Sequence, residues 1–269
     1  MAAVVLAHAA WSAPPAVLSV AGLAAVLYGH GWLRLRRRGR RDLADWKRAV
    51  TFTVGLAVVL AGLVTPIHTI GENHLLWMHM LQHVLIGDLG IALMVVAVRG
   101  PLLVFMLPAP VLAKVARDRD VRAIVSFLLR PPVACGLWLA NLGIWHIPSL
   151  YDTAVLHPAL HDLEHACWML AGLLVWTLLI DPGSHRRLTL RGRVALAVGM
   201  FAAGQVLTDV LVFSFHPLYP LYRGGYGFSA LEDQRLAGIV MMFEQLLTLG
   251  TLVFCLIRPR LQQARLAAA

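Results

Sequence analysis

The chain alternates long apolar runs with short polar segments. Seven runs stand out, at residues 16–33, 49–67, 75–98, 133–147, 159–180, 194–215 and 236–257. All but the fourth have about the 17–25 residues that cross a bilayer as an α-helix. The pattern predicts an all-α polytopic membrane protein, whose seven transmembrane helices form a single domain over residues 1–269.

A further apolar segment, residues 102–115, contains Pro108 and Pro110. Proline removes a backbone donor and disrupts a helix interior, so we expect this segment to lie along the membrane interface or to fold back into the protein. Only 14% of the residues are charged and 59% are hydrophobic, whereas soluble proteins have roughly 25% charged residues. This composition excludes a soluble globular protein.

Basic residues predict the orientation of the helices. Of the 23 lysines and arginines, all but Arg223 and Arg235 fall in segments that the seven-helix scheme places on one side. Positively charged loops stay in the cytoplasm, which predicts an external amino terminus and a cytoplasmic carboxyl terminus. This bias, together with contact with anionic lipid headgroups, explains the net charge of +9. We therefore expect membrane lipids as partners and no nucleic acid.

The most informative motif is a pentapeptide that occurs twice in nearly the same form. His79-Met-Leu-Gln-His83 opens the third predicted helix, and His161-Asp-Leu-Glu-His165 opens the fifth. Residues i and i+4 share one face of a helix, so each motif presents two imidazoles side by side, as metal-chelating helices do. Ionisable residues inside apolar spans are costly and usually functional. We predict that these histidines are metal ligands.

The predicted topology places both motifs at one depth. The third and fifth helices both run inward from the outside, and at about 1.5 Å per residue the pairs lie roughly 9–12 Å below their starts. Ten of the twelve histidines fall on this outer side. Gly87 and Gly90 permit the close approach that would bring the two helices together. If the two helices are neighbours, the four imidazoles could converge just below the outer surface.

Other polar residues are candidates for partners of the ligands or for an access path. Ligating histidines usually donate their second ring N–H to a carboxylate or a carbonyl. The candidates are His74, His146, His157, Asp88, Asp209 and Glu244. A structural role within the helix bundle is the alternative for each of them.

Three other positions are expected to serve structure. An isolated histidine such as His68 is expected to be hydrogen-bonded within the fold. Asp233 opens the seventh helix and is expected to cap it, with a functional role as the alternative. The aromatic loop 217–227, which includes Tyr222, is expected to lie in the membrane interface or to contact a partner.

Several motifs, taken in order, resemble one family. They are the segment from Trp46 to Phe52, Thr65-Pro66, the first histidine motif, Trp145-His-Ile-Pro-Ser-Leu-Tyr-Asp152, the second histidine motif and Asp233-Gln-Arg-Leu-Ala-Gly238. Together they cover the second to seventh helices. This set resembles the multi-span CtaG-type cytochrome c oxidase assembly factors, which differ from the single-span copper chaperone of the same name.

The resemblance implies a non-enzymatic, multi-pass protein of the bacterial plasma membrane. Such a protein helps to assemble a haem-copper oxidase, has oxidase subunits as partners, and delivers copper from the outer face. Whether the chain forms a homo-oligomer is left open by the sequence.

The metal itself is not fixed by the residues. Copper is implied by the resemblance, but imidazole also binds zinc and haem iron. Sulfur ligands select Cu(I), and the chain has no paired cysteines and no dense methionine motif. Copper is the expected metal, with zinc and haem as alternatives.

The sequence is also compatible with three other functions. The His-x-x-x-His spacing is also that of zinc hydrolases, although the glutamate that follows the first histidine in those enzymes is replaced by Met80 or Asp162. Histidines on two helices could ligate a non-covalent haem in an electron carrier. An assembly scaffold without a metal is the third alternative.

Overall fold

The computed structural model describes residues 11–12 and 14–268, with no side chain described at residue 261 or beyond 263. His8 lies outside the described residues. The helices are α1 (Pro15–Arg37), α2 (Trp46–Val64), α3 (Pro66–Asn73), α4 (Leu76–Val84), α5 (Gly90–Ala97), α6 (Pro101–Phe105), α7 (Ala109–Arg117), α8 (Arg119–Leu128), α9 (Pro131–Trp145), α10 (Pro148–Leu156), α11 (Pro158–Ile180), α12 (Leu190–Phe213) and α13 (Ala230–Ala268). A π-helical turn, Leu85–Leu89, joins α4 to α5, and strands β1 (Gly224–Gly225) and β2 (Phe228–Ser229) form a short antiparallel hairpin.

Six helices in the described part of the chain are long and apolar enough to cross a membrane. They are α1, α2, the continuous α4–α5 helix, α11, α12 and the part of α13 up to Arg260. Helices α8 and α9 add a seventh candidate as a single span bent by 65°. The predicted all-α polytopic membrane fold is confirmed.

The bend explains why the fourth apolar run is short. The residue before a proline is driven out of the helical conformation, and Arg130, with ψ of 129°, is extended immediately before Pro131. Helix α9 therefore begins as a separate helix at Pro131.

The proline-containing apolar segment, residues 102–115, lies in α6 and α7 and the turn between them. Leu102 of α6 is fully buried, whereas α7 and α8 bury no residue in the protein.

The second helix ends earlier than its apolar run. Thr65 is extended, with ψ of 173°, and its side chain caps a separate helix, α3, that begins at Pro66. The prediction of one continuous helix over residues 49–67 is wrong at this end. Because the chain turns here, α3 places His68 and Glu72 beside the first turn of α11.

Glycines allow α11 to pack closely against the helix formed by α4 and α5. Gly87 lies against the backbone of Trp168, and a Cβ added at Gly172 would overlap the backbone of Gly87. Gly90 has a different neighbour from the one predicted. It packs on Gly55 and Val59 of α2, so it brings the second and third spans together.

The π-helical turn begins at Leu85, two residues after His83. The Gly90 N–H donates to the Leu85 carbonyl, which closes a wider turn than that of an α-helix. Such a turn inserts one extra residue and rotates the following residues by roughly 100°. As a result, Asp88 and His83 line the same cavity, although in a regular α-helix their side chains would point about 140° apart.

Candidate metal centre

The four histidines of the repeated motif meet between α4 and α11. Each offers one ring nitrogen, and these nitrogens all lie within 4.8 Å of one another. All four side chains are buried. The residues in the cluster are His79, His83, His161 and His165.

Contacts along the two helices occur in the same order. The rings of His79 and His161 are 5.1 Å apart between centroids, and those of His83 and His165 are 5.3 Å apart. One turn further, Gly87 lies against Trp168. Matched contacts at successive turns show that α4 and α11 run parallel, so both pairs lie at one level of the bundle.

His79 occupies the centre of the cluster. Its Nε2 atom lies 3.0 Å from Nε2 of His83 and 3.1 Å from Nε2 of His161. Zinc–imidazole bonds of about 2.0–2.1 Å would place ligand nitrogens about 3.3 Å apart in a tetrahedral site. The observed separations are therefore close to those of a set of ligands around one small metal ion.

A hydrogen-bonded chain fixes the tautomer of His79. Nδ1 of His79 lies 2.7 Å from the hydroxyl of Tyr222, which lies 2.9 Å from the Gly71 carbonyl. A carbonyl can only accept, so the phenol donates to Gly71 and accepts from Nδ1–H of His79. Burial raises the pKa of the Tyr222 phenol well above its usual range, which keeps this donor in place. Nε2 of His79 therefore carries a lone pair directed into the cluster.

A carboxylate fixes the tautomer of His161. Nδ1 of His161 lies 3.0 Å from Oε1 of Glu72, and Nδ1 of His68 lies 2.9 Å from the same oxygen. Burial acts to raise the pKa of the Glu72 carboxyl, but hydrogen bonds from His161 and His68 hold it well below its usual range. Glu72 is consequently ionised and accepts from Nδ1–H of His161, which leaves a lone pair on Nε2 of His161.

Two lone pairs thus face each other across 3.1 Å, on Nε2 of His79 and Nε2 of His161. With neutral rings no proton lies between these atoms, so the contact is repulsive until a cation is placed there. A proton would satisfy two nitrogens, whereas a metal ion would satisfy all four. The donor set fits a metal cation.

The other pair leaves polar atoms without partners among the described residues. These atoms are Nδ1 of His83, Nε2 of His165 and both carboxylate oxygens of Glu164, all of them buried. Oε1 of Glu164 is 3.7 Å from Nε2 of His83. The cluster is therefore flanked by two carboxyl groups, those of Glu72 and Glu164, and a bound metal cation would neutralise the negative charge of Glu72.

Asp233 caps a different helix from the predicted one. Its carboxylate oxygens accept from the backbone N–H groups of Leu76 and Trp77, at 2.9 and 3.0 Å. Asp233 therefore caps α4, the helix that carries the first histidine pair, although it belongs to the first turn of α13. In the sequence the two ends of this contact are 157 residues apart.

Three of the candidate partner residues lie together, on the side of His83 away from the Tyr222 end. Asp88, His146 and Glu244 line a cavity that His83 also lines. Asp88 accepts from the Trp176 ring N–H at 3.2 Å, and Nδ1–H of His146 donates to the Leu142 carbonyl at 2.8 Å.

The remaining candidates have other surroundings. Asp209 is exposed on α12 and accepts from the Gln205 amide at 2.8 Å. Nδ1 of His157 lies 2.8 Å from the Thr153 carbonyl. His74 packs edge-on against Tyr226, with 5.7 Å between ring centroids.

Comparison with known families identifies the chain. The family described as cytochrome c oxidase caa3 assembly factor (Caa3_CtaG) matches residues 26–263. The chain belongs to this family. The predicted resemblance is thereby confirmed over nearly the whole sequence. Comparison with curated proteins and with solved structures gave no significant match.

Sequence reasoning missed three residues at the centre of this Caa3_CtaG member. The sequence predicts no role for Glu72, a structural role for His68, and a position for Tyr222 in a loop at the membrane interface or against a partner. One signal was present for Glu72, because it is the single acidic residue between Asp45 and Asp88. Tyr222 gave no comparable signal, since its position depends on how the loop before α13 folds.

Proposed function

We propose that this protein binds copper at His79, His83, His161 and His165 and delivers it to a haem-copper oxidase during assembly. Membership of the Caa3_CtaG family supports the assembly role. The facing lone pairs of His79 and His161 support the metal, because one metal ion could accept both and also reach the ring nitrogens of the other two histidines. The copper bound here would become the metal of the oxidase, and this chain would hold that copper without catalysing a reaction.

The arrangement favours a transfer site over the alternatives. A catalytic zinc keeps an open position for water beside three protein ligands, whereas here a fourth imidazole lies within the same 4.8 Å. A haem held between two histidines needs a flat slot for the porphyrin. The space between any two of these rings is shared with the other two imidazoles, so the cluster suits a bare ion.

We further propose that the cluster lies near the extracytoplasmic face of a bacterial plasma membrane, with the carboxyl terminus in the cytoplasm. The end of the bundle opposite the cluster carries Arg99 and Arg193, near the carboxyl ends of α5 and α11. The Arg193 guanidinium donates to the Leu179 and Ile180 carbonyls, and the backbone carbonyl of Arg99 accepts from the Arg48 guanidinium. Basic loops stay in the cytoplasm, which supports this orientation. Oxidase subunits and membrane lipids are the proposed partners.

The decisive experiment combines metal content with oxidase assembly. A strain lacking the protein is complemented with the wild type, with all four histidines changed to alanine, or with Asp162→Asn as a control on the exposed side of α11. We expect the alanine variant to reach the membrane, to contain no copper by elemental analysis, and to leave the oxidase without activity. The control should behave as the wild type.

Other results would assign a different function. Full oxidase activity with the four-alanine variant would refute the copper-binding role and support a scaffold. A Soret band in the purified wild type would identify a haem protein. Zinc in place of copper, with hydrolytic turnover, would identify an enzyme.

A further inference from the structure

A second polar site lies next to the histidine cluster, inside the bundle. It is a cavity that offers about 20 Å³ to the centre of a water molecule, which is enough for about one water. His83 lines this cavity as well as belonging to the cluster. Across from it are His146 of the α9–α10 turn and Glu244 of α13.

The polar atoms at this cavity are mainly acceptors. Nδ1–H of His146 donates to the Leu142 carbonyl, so Nε2 of His146 carries a lone pair. That atom, both carboxylate oxygens of Glu244 and Oε1 of Gln245 are buried and have no hydrogen-bond partner among the described residues. Glu244 and His146 are more than nine-tenths buried. These groups need a cation, or protons and water, to replace the solvation that they have lost.

Acidic groups line the cavity without a basic partner. Asp88 and Glu244 both carry carboxyl groups, and the described lining contains no lysine or arginine. Two carboxylates inside apolar spans without a basic partner are costly. A bound metal ion removes that cost at one step.

The type of ligand indicates which cation. Met80 and Met241, which carry thioethers, line the same cavity as His146. Thioether and imidazole ligands together favour Cu(I). Among the described histidines, cysteines and acidic residues, however, only the four histidines bring three or more ligand atoms within 4.8 Å of one another. An ion in the cavity would therefore be held by few protein ligands.

We propose that this cavity is a second copper site, which binds Cu(I) between His146 and Glu244 and exchanges it with the histidine cluster through His83. The proposal rests on the proposed function, since the cluster is the site that first takes up copper. The chain would then hold two copper ions in series, with one residue common to both sites.

Copper stoichiometry of the purified full-length protein tests this. The protein in detergent is loaded with Cu(I) under anaerobic conditions, freed of excess metal, and measured for copper per chain. The cavity variant is Glu244→Gln with His146→Phe, which removes the charge and the nitrogen ligand but keeps the ring that packs edge-on against Trp168. The cluster variant is His79→Ala with His161→Ala, two residues that do not line the cavity. Asp209→Asn is the control, an exposed carboxylate on α12.

We expect two copper ions per chain in the wild type and in the control, and one in each double variant. The copper that the cavity variant retains also shows that its cluster is folded. We expect the thermal midpoint of the cavity variant to equal or exceed that of the apo wild type, because the variant no longer buries the unpaired carboxyl group of Glu244.

The outcomes separate this inference from the proposed function. One copper in the wild type, lost in the cluster variant and kept in the cavity variant, overturns the second site and leaves the proposed function standing. One copper that is lost only in the cavity variant overturns the proposed role of the cluster. Absence of copper from the wild type overturns both.

Discussion

The two histidine motifs have nearly the same sequence but different surroundings. In the motif on α4, His79 donates to the neutral phenol of Tyr222. In the motif on α11, His161 donates to the carboxylate of Glu72. A carboxylate partner makes a ligating imidazole more basic than a neutral partner does. The equal spacing of the histidines in the two motifs therefore does not give their imidazoles equal surroundings.

The fourth residue of each motif extends this difference. Gln82 lies 2.9 Å, through its side-chain nitrogen, from Nδ1 of His68 on α3. Glu164, at the matching position, approaches His83 on the other helix. The α4 motif thus contributes the central imidazole and a neutral amide, whereas the α11 motif contacts the Glu72 carboxylate and contributes the carboxyl group of Glu164. The comparison suggests that α4 sets the geometry and α11 sets the charge of the site.

Alanine substitutions within the two pairs should show the largest difference. His79→Ala removes the nitrogen nearest to two others, so we expect its loss of copper affinity to exceed the roughly 100-fold limit seen for partners of ligands. His165→Ala should cost less, about 10-fold, because three close nitrogens remain. Competition with a chromophoric Cu(I) chelator measures both. Equal losses would refute the central role of His79.

Separating the two helices should affect both motifs together. Gly172→Ala places a methyl group on the backbone of Gly87, and overpacking of this kind costs about 3 kcal/mol at the upper end of its usual range. We expect a lower thermal midpoint and weaker copper binding. Gly199→Ala is the control, because an added Cβ at Gly199 meets no atom within 4 Å. If both variants melt alike, the close crossing does not hold the site together.

The partners of the first histidines should differ in effect. Glu72→Gln removes the negative charge beside His161, and we expect a loss of copper affinity of about 100-fold. Tyr222→Phe removes a neutral acceptor from His79, so about 10-fold is expected. The same chelator competition applies to both variants. A larger effect for Tyr222→Phe would reverse the proposed division between geometry and charge.

The smallest expected difference in stability concerns the acidic residues near the starts of α4 and α11. Asp233→Asn weakens the charged cap of α4, and we expect a loss of about 1 kcal/mol in the free energy of unfolding. Asp162→Asn changes an exposed acid near the start of α11 and should stay within about 0.5 kcal/mol of the wild type. Thermal unfolding in detergent compares the two. No difference between them would mean that the contact of Asp233 with α4 adds no stability.

The sequence predicted the helices and the shared face of each histidine pair for physical reasons, and it left open whether the two pairs meet. Bilayer thickness sets the length of an apolar span, and the i, i+4 rule sets the face of each pair. Parallel direction and matched depth then required only that the third and fifth helices be neighbours. Gly87 was correctly associated with that approach, whereas its partner Gly172 lay within a uniformly apolar run that gave no signal.

The remaining parts of the site depend on breaks in regular structure. Glu72 reaches His161 because Thr65 and Pro66 end a helix within a run that reads as one span. Asp88 lies on the side of His83 because of the π-helical turn, which hydrophobic periodicity does not reveal when both faces are apolar. Tyr222 and Asp233 are placed by contacts between segments about 150 residues apart in the chain. Local patterns carry no information on such contacts.

The π-helical turn also makes the two halves of the third span independent in register. The half before it must keep the histidine pair opposite α11, and the half after it must keep Gly90 against α2. A regular helix of this length would link these requirements rigidly, so that a rotation that improved one would disturb the other. Removing a single residue between Leu85 and Leu89 would leave the composition and length of the span almost unchanged. It would nevertheless turn Gly90 away from α2 or the histidines away from α11, so this membrane helix tolerates substitution in its apolar positions far better than deletion.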